Sequence, residues 1–162
     1  MKFDYAKEPG RELLNSNRVS NDKSSVSIIT PYYNAGKYFE QTFNCVMNQT
    51  FPWFEWIIVD DGSTDKPSLD TLERLSKQDT RIRVLHQSNQ RQAAARNAAI
   101  KHSTTDIIVP LDADDLISPP FIEELYFALQ KNPDAAWAYT DSVGFGAQNY
   151  LWKQPFSASE RT

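Results

Sequence analysis

Long apolar runs, a second cysteine and the glycine-rich signatures of common nucleotide-binding loops are all missing from this sequence, and each absence narrows what the chain can be. No apolar stretch approaches the roughly 18 residues that a membrane-spanning helix needs. The opening residues Met1 to Lys7 lack the apolar core of a signal peptide. Cys45 is the one cysteine, so no intramolecular disulfide can form and a reducing cytosol is the expected compartment. Beside Phe43, Val46 and Met47 it reads as a small buried hydrophobe and not as a nucleophile. The net charge of −4, with no clustered basic patch, gives no nucleic-acid surface. There is no Gly-x-Gly-x-x-Gly opening a helix, no P-loop and no Gly-x-Ser-x-Gly elbow. A phosphate-bearing ligand would therefore have to be held by a metal and carboxylates.

What is present is a folded composition, 40 % apolar over 162 residues, enough for one domain with a proper core. Residues 1–24 are polar and weakly periodic. Glu12-Leu13-Leu14 suggests a short helix there, and the Asn15–Ser25 stretch reads as a linker. Order is expected from Val26. Val26–Thr30 is a compact β-branched run suited to a strand buried on both faces. A helix is expected over 37–49, with Phe39, Phe43, Val46 and Met47 on one stripe. Further strands are expected at 56–59, 82–85, 107–111 and 135–139. Helices are expected around Leu69–Leu75, over 92–102 and from Pro119-Pro120 to about Lys131, the last capped by Ser118. This alternation predicts an α/β fold with a mainly parallel sheet covered by helices on both faces. In such sheets ligands bind outside the carboxyl ends of the strands.

Three polar clusters fall at those ends: Pro31–Asn34, Asp60–Asp65 and Asp112–Asp115. Asp112 and Asp114 flank one residue at a turn after a buried strand, so both carboxylates can face one point. Hard cations such as Mg²⁺ or Mn²⁺ take such oxygen ligands and commonly bridge phosphates. Three acids packed together without a cation would raise one another's pKa, which a purely structural turn has no use for. Asp60 is a candidate acceptor for a base N–H or ribose hydroxyls, with Gly62 permitting the tight turn; the plain alternative is an Asx turn. Tyr33, next to Pro31, can stack on a flat base, although a tyrosine at a strand end is also ordinary packing. Arg91 and Arg96 flank the start of the alanine-rich helix, where an arginine can meet phosphate or pair with a sheet-end carboxylate. His86 and His102 have no partner at metal-ligand spacing.

Taken in order, the segments Val26–Asn34, Gln49-Thr50-Phe51, Glu55–Asp65, Ala95-Arg96-Asn97 and Pro110–Asp115 resemble the inverting family-2 glycosyltransferases over roughly residues 25–141. The resemblance implies a GT-A fold, an α/β/α sandwich, with a nucleotide-sugar-binding domain over 25–145. It implies a polar extension at 1–24, and at 146–162 the incomplete start of an acceptor-side region, the chain being truncated after its nucleotide-binding half. It implies a nucleotide site of Pro31, Tyr33, Asp60, Arg96 and Asp112, a metal held by Asp114 with Asp112, and Mn²⁺ or Mg²⁺ as cofactor. The donor is expected to be a UDP-sugar and the acceptor a saccharide or a lipid-linked hydroxyl. A cytoplasmic location is expected, with attachment at the inner membrane face or to a larger multidomain protein open.

Two departures stand against the family pattern. Arg91 replaces the glycine of the Asn-x-Gly that precedes Ala-Arg-Asn, and no Glu-Asp pair follows Tyr139. Asp141 and Glu160 are the only acids there and neither matches, so no catalytic base can be named. Two alternatives follow: a catalytically incomplete donor-binding fragment, and a haloacid-dehalogenase-type phosphatase, whose nucleophile loop the Asp112-x-Asp114 spacing superficially shares.

Overall fold

The computed structural model describes residues 24–144 and 150–152. The expected short helix at 12–14 and the start of the linker lie outside them. The chain divides between Glu123 and Glu124 into two compact units.

The first unit is an α/β layer structure. Its strands are β1 (Val26–Tyr32), β2 (Phe54–Asp60), β3 (Ile82–His86) and β4 (Ile107–Pro110), all parallel, in the order β3-β2-β1-β4. The helices are α1 (Gly36–Met47), α2 (Lys66–Ser76), α3 (Arg91–His102) and the start of α4 (Phe121–Lys131). β1 and β2 are buried along almost their whole length, which explains why they read as continuous apolar runs and not as alternating ones. Pro31 is tolerated in a central strand because the β1–β4 ladder ends at Ile29 and Pro110, two residues before it.

Successive residues of β1 and β2 point to opposite faces. Trp56 takes the α1 face, where its ring lies 5.7 Å from Phe39 and 6.0 Å from Phe43, and its indole N–H donates to Thr30 Oγ1 (2.9 Å). Ile29, Ile57 and Val59 form a core with Ala95 and Ala99 of α3. The two alanines, four apart on one helix face, bring α3 close to the sheet. Asp65 caps α2 by accepting from Ser68 N (2.9 Å). Gly36 is a spatial requirement, since a Cβ there would lie 2.7 Å from Ser68 Cα.

Two details differ from the sequence expectation in this unit. The first-turn amide of α4 at Ile122 donates to Gln49 Oε1 (3.1 Å), so that cap comes from just beyond α1, while Ser118 contributes its carbonyl to Phe121 N and Gln49 Nε2. Cys45 is only partly buried.

The second unit contains the rest of α4 and a short antiparallel pair, β5 (Ser142–Gly144) with β6 (Tyr150–Trp152). Residues 135–139 are not a strand. This run, Ala-Ala-Trp-Ala-Tyr, has no β-branched residue to favour extension. Trp137 is 63 % exposed and stacks on Tyr139 at 5.0 Å instead of entering a ladder.

Candidate functional site

The strand order reverses between β1 and β4: β2 and β3 are laid down on one side of β1, and β4 on the other. A crevice is expected outside the carboxyl ends of the strands at that point. A pocket of about 550 Å³ lies there, walled by Pro31 and Tyr33 from the end of β1, Asp61 from the end of β2, Arg91 from the start of α3, and Asp112 and Asp114 from the loop after β4.

The loops that bring these residues together are tied to one another. Asn34 adopts φ 49° and its Oδ1 accepts from Thr64 N (2.8 Å) and Asp65 N (3.2 Å), which joins the loop after β1 to the loop after β2. Gly62 sits at φ 76°, where a Cβ would lie 2.9 Å from Asn89 N, so the turn after β2 packs directly on the loop before α3. The acidic loop is held from α1 and the residues just after it. Thr42 Oγ1 donates to Ala113 O (3.0 Å), between the two aspartates. Gln49 Nε2 donates to Ser118 O (2.8 Å), and Thr50 N donates to Pro119 O (2.9 Å). Thr50 Oγ1 also donates to the buried carboxylate of Glu123. The Gln49-Thr50 pair is thus a clamp on the segment that follows Asp115, not a ligand group.

Of the six residues expected in the site, four line the pocket: Pro31, Tyr33, Asp112 and Asp114. Tyr33 is 49 % exposed, so its ring face is accessible. Asp60 and Arg96 sit behind it. Asp60 is 4 % exposed, and its two oxygens take Ser63 N (3.0 Å) and His86 Nδ1 (3.0 Å). The lining carboxylate from this pair is Asp61, whereas the sequence favours Asp60 within the same cluster. It is 3 % exposed. Its Oδ1 accepts from Gln87 Nε2 (2.7 Å) and Gln90 N (2.8 Å), while among the described residues Oδ2 has no donor. The strand register carries the distinction: Asp60 is the last residue of β2, paired with Tyr32 and His86, and Asp61 is the first residue beyond it.

Arg96 acts on Asp112. Its Nη2 lies 2.5 Å from Asp112 Oδ1, and Gln92 Nε2 donates to Asp112 Oδ2 (3.0 Å), so both oxygens of Asp112 already have protein donors. Asp114 is exposed and makes no hydrogen bond or ion pair among the described residues. Asp115 is held above the ordinary aspartate range. Desolvation is the main cause, joined by the charges of Asp112 and Asp114, against the Asp112 amide and Arg96, which favour its ionised form. The electrostatic cost foreseen for three adjacent acids falls on Asp115.

Among the described residues no three His, Cys, Asp or Glu side chains converge on one point that could hold a metal ion by themselves. One or two carboxylates are still enough for Mg²⁺ or Mn²⁺ when substrate phosphates and waters complete the shell, and Asp114 with Asp112 fits that arrangement.

Residues 27–161 match the family model described as "Glycosyl transferase family 2". The chain belongs to that family. The match replaces the phosphatase alternative. Glycosyltransferase GlyG of Streptococcus pneumoniae serotype 4 is 39 % identical over 107 residues, which is 65 % of this chain and 35 % of GlyG. The structure of S. aureus TarS 1-349 in complex with UDP-GlcNAc superposes with a TM-score of 0.62 at 27 % identity, covering 67 % of this chain and 32 % of that one. The mannosyltransferase PcManGT from Pyrobaculum calidifontis, in complex with GDP-Man and Mn²⁺, gives a TM-score of 0.53 at 27 % identity over 65 % of this chain and 33 % of that one. The chain spans about a third of the length of each. Among the described residues no helix is long and apolar enough to cross a membrane.

Proposed function

We propose that this chain carries the donor site of a glycosyltransferase that moves a sugar from a nucleoside diphosphate, a UDP-sugar, to a hydroxyl of a saccharide or lipid-linked acceptor with inversion. The observation that supports it is the pocket at the strand-order reversal, where an exposed tyrosine shares the wall with three carboxylates and two of these, Asp61 and Asp114, keep oxygens without protein donors. The TarS complex with UDP-GlcNAc and the PcManGT complex with GDP-Man support a nucleotide-sugar ligand for this fold.

In this reading Tyr33 stacks on the base, and Asp61 Oδ2 accepts the base N–H that the sequence reading assigned to Asp60. Asp112, oriented by Arg96 and Gln92, faces the ribose and the cation, and Asp114 is the direct cation ligand. When bound, a divalent cation supplies charge neutralisation for the departing diphosphate. No residue described here is assigned as the base that activates the acceptor. The domain over 25–145 is proposed as the donor unit, with 146–162 opening the acceptor side.

Calorimetry with UDP tests this. Binding is expected with Mn²⁺ present and is expected to weaken at least about tenfold, 1.4 kcal/mol, with EDTA or in Asp114→Asn. Equal affinity with and without EDTA would sink the metal assignment, and no binding of any nucleoside diphosphate would sink the donor site.

A further inference from the structure

Arg91 stands where the family pattern has glycine, and the structure gives it the backbone that glycine would have. Its φ is 71°, in the left-handed region that side chains other than those of Asn, Asp and Gly seldom enter. Residues held there persist only when something else fixes them, and they concentrate at ligand clamps. Nothing among the described residues accounts for the arginine. Among the described residues Arg91 has no carboxylate or hydrogen-bond partner, whereas Arg74, Arg81, Arg83 and Arg96 are all paired. It is exposed and lines the pocket.

The charge of the pocket gives the side chain a role. The other charged lining residues are Asp61, Asp112 and Asp114, so Arg91 is the single cationic side chain among the described residues of the wall. A diphosphate entering against three carboxylates needs positive charge beyond one divalent cation. A guanidinium offers two parallel N–H donors to phosphate oxygens in a planar fork. We infer that Arg91 binds the donor diphosphate directly and is a donor-affinity residue. The inference rests on the donor reading above, and Arg91 supplies a contact that a glycine at this position cannot.

The test compares Arg91→Gly and Arg91→Lys with the parent, using UDP and uridine in the presence of Mn²⁺. Glycine suits φ 71°, so Arg91→Gly is expected to fold with an unchanged or higher Tm. It is expected to bind UDP about tenfold more weakly than the parent, with uridine binding unaltered and a shallower dependence of UDP affinity on salt. Arg91→Lys is expected to fall between the two, because it keeps the charge and loses the fork. UDP affinity of Arg91→Gly equal to that of the parent overturns the inference, and so does an equal loss of uridine binding. A parent that binds no UDP removes the donor reading first, and the role of Arg91 with it.

Discussion

Thr42→Val separates the tether of the acidic loop from the loop's own residues. Thr42 is fully buried, and its hydroxyl donates to the carbonyl of Ala113, itself buried between Asp112 and Asp114. Valine keeps the shape, so no cavity opens, and the change reduces to one lost hydrogen bond and one stranded carbonyl. Leaving a buried acceptor unsatisfied costs about 1–3 kcal/mol, and the methyl that replaces the hydroxyl returns about 0.8 kcal/mol by burial. The net loss is therefore about 0.2–2 kcal/mol. With a urea m-value of about 2 kcal/mol/M for a domain of this size, the midpoint should fall by about 0.1–1 M at unchanged m. Metal-dependent UDP affinity should fall as well, because the carbonyl that is set free lies between the two site carboxylates. A midpoint equal to that of the parent would refute the tether. A lower midpoint with undiminished UDP binding would show that the loop keeps its geometry without Thr42, and would refute the link from tether to site.

Glu55 and Gly62 give two further tests. Glu55 Oε1 accepts from Ser27 Oγ (2.6 Å), Thr104 N (2.7 Å) and Thr104 Oγ1 (2.9 Å). Burial pushes its carboxyl up, but these bonds together with Arg83 outweigh burial and hold it below the ordinary range. A carboxyl lowered by folding adds stability that is present above its unfolded pKa and is lost as pH falls through its folded value. The parent should therefore lose stability between about pH 5 and 3, and Glu55→Gln should flatten that part of a urea-midpoint series; an identical slope would count against Glu55. Gly62→Ala places a Cβ 2.9 Å from Asn89 N at φ 76°, and should cost about 1–3 kcal/mol by thermal unfolding. A Tm matching the parent would mean that the 87–89 loop yields freely.

The layer architecture was legible because its causes are local. The runs Val26–Thr30 and Trp56–Val59 are apolar on both faces, which only a sheet covered on both sides can satisfy, and the acids and turn residues that end them mark the carboxyl edge. The same locality made Tyr33, Asp112 and Asp114 legible as candidates, and all three line the pocket. Tertiary structure decided which neighbour in each cluster faces the pocket. Asp60 and Asp61 are chemically identical and adjacent, and only the register with β1 and β3 turns the first toward His86 and leaves the second at the wall. Arg96 could meet a phosphate or a carboxylate, and the placement of α3 on the sheet gave it Asp112. The cap of α4 came from Gln49, 73 residues away, and not from the nearby Ser118. Residues 135–139 are an apolar run without β-branching, and no ladder claims them. Composition and spacing determined that a carboxylate-rich edge would exist on a parallel sheet. Which oxygens remain open to a ligand depended on long-range pairing, because a polar group is available only after its neighbours in space have taken their hydrogen bonds.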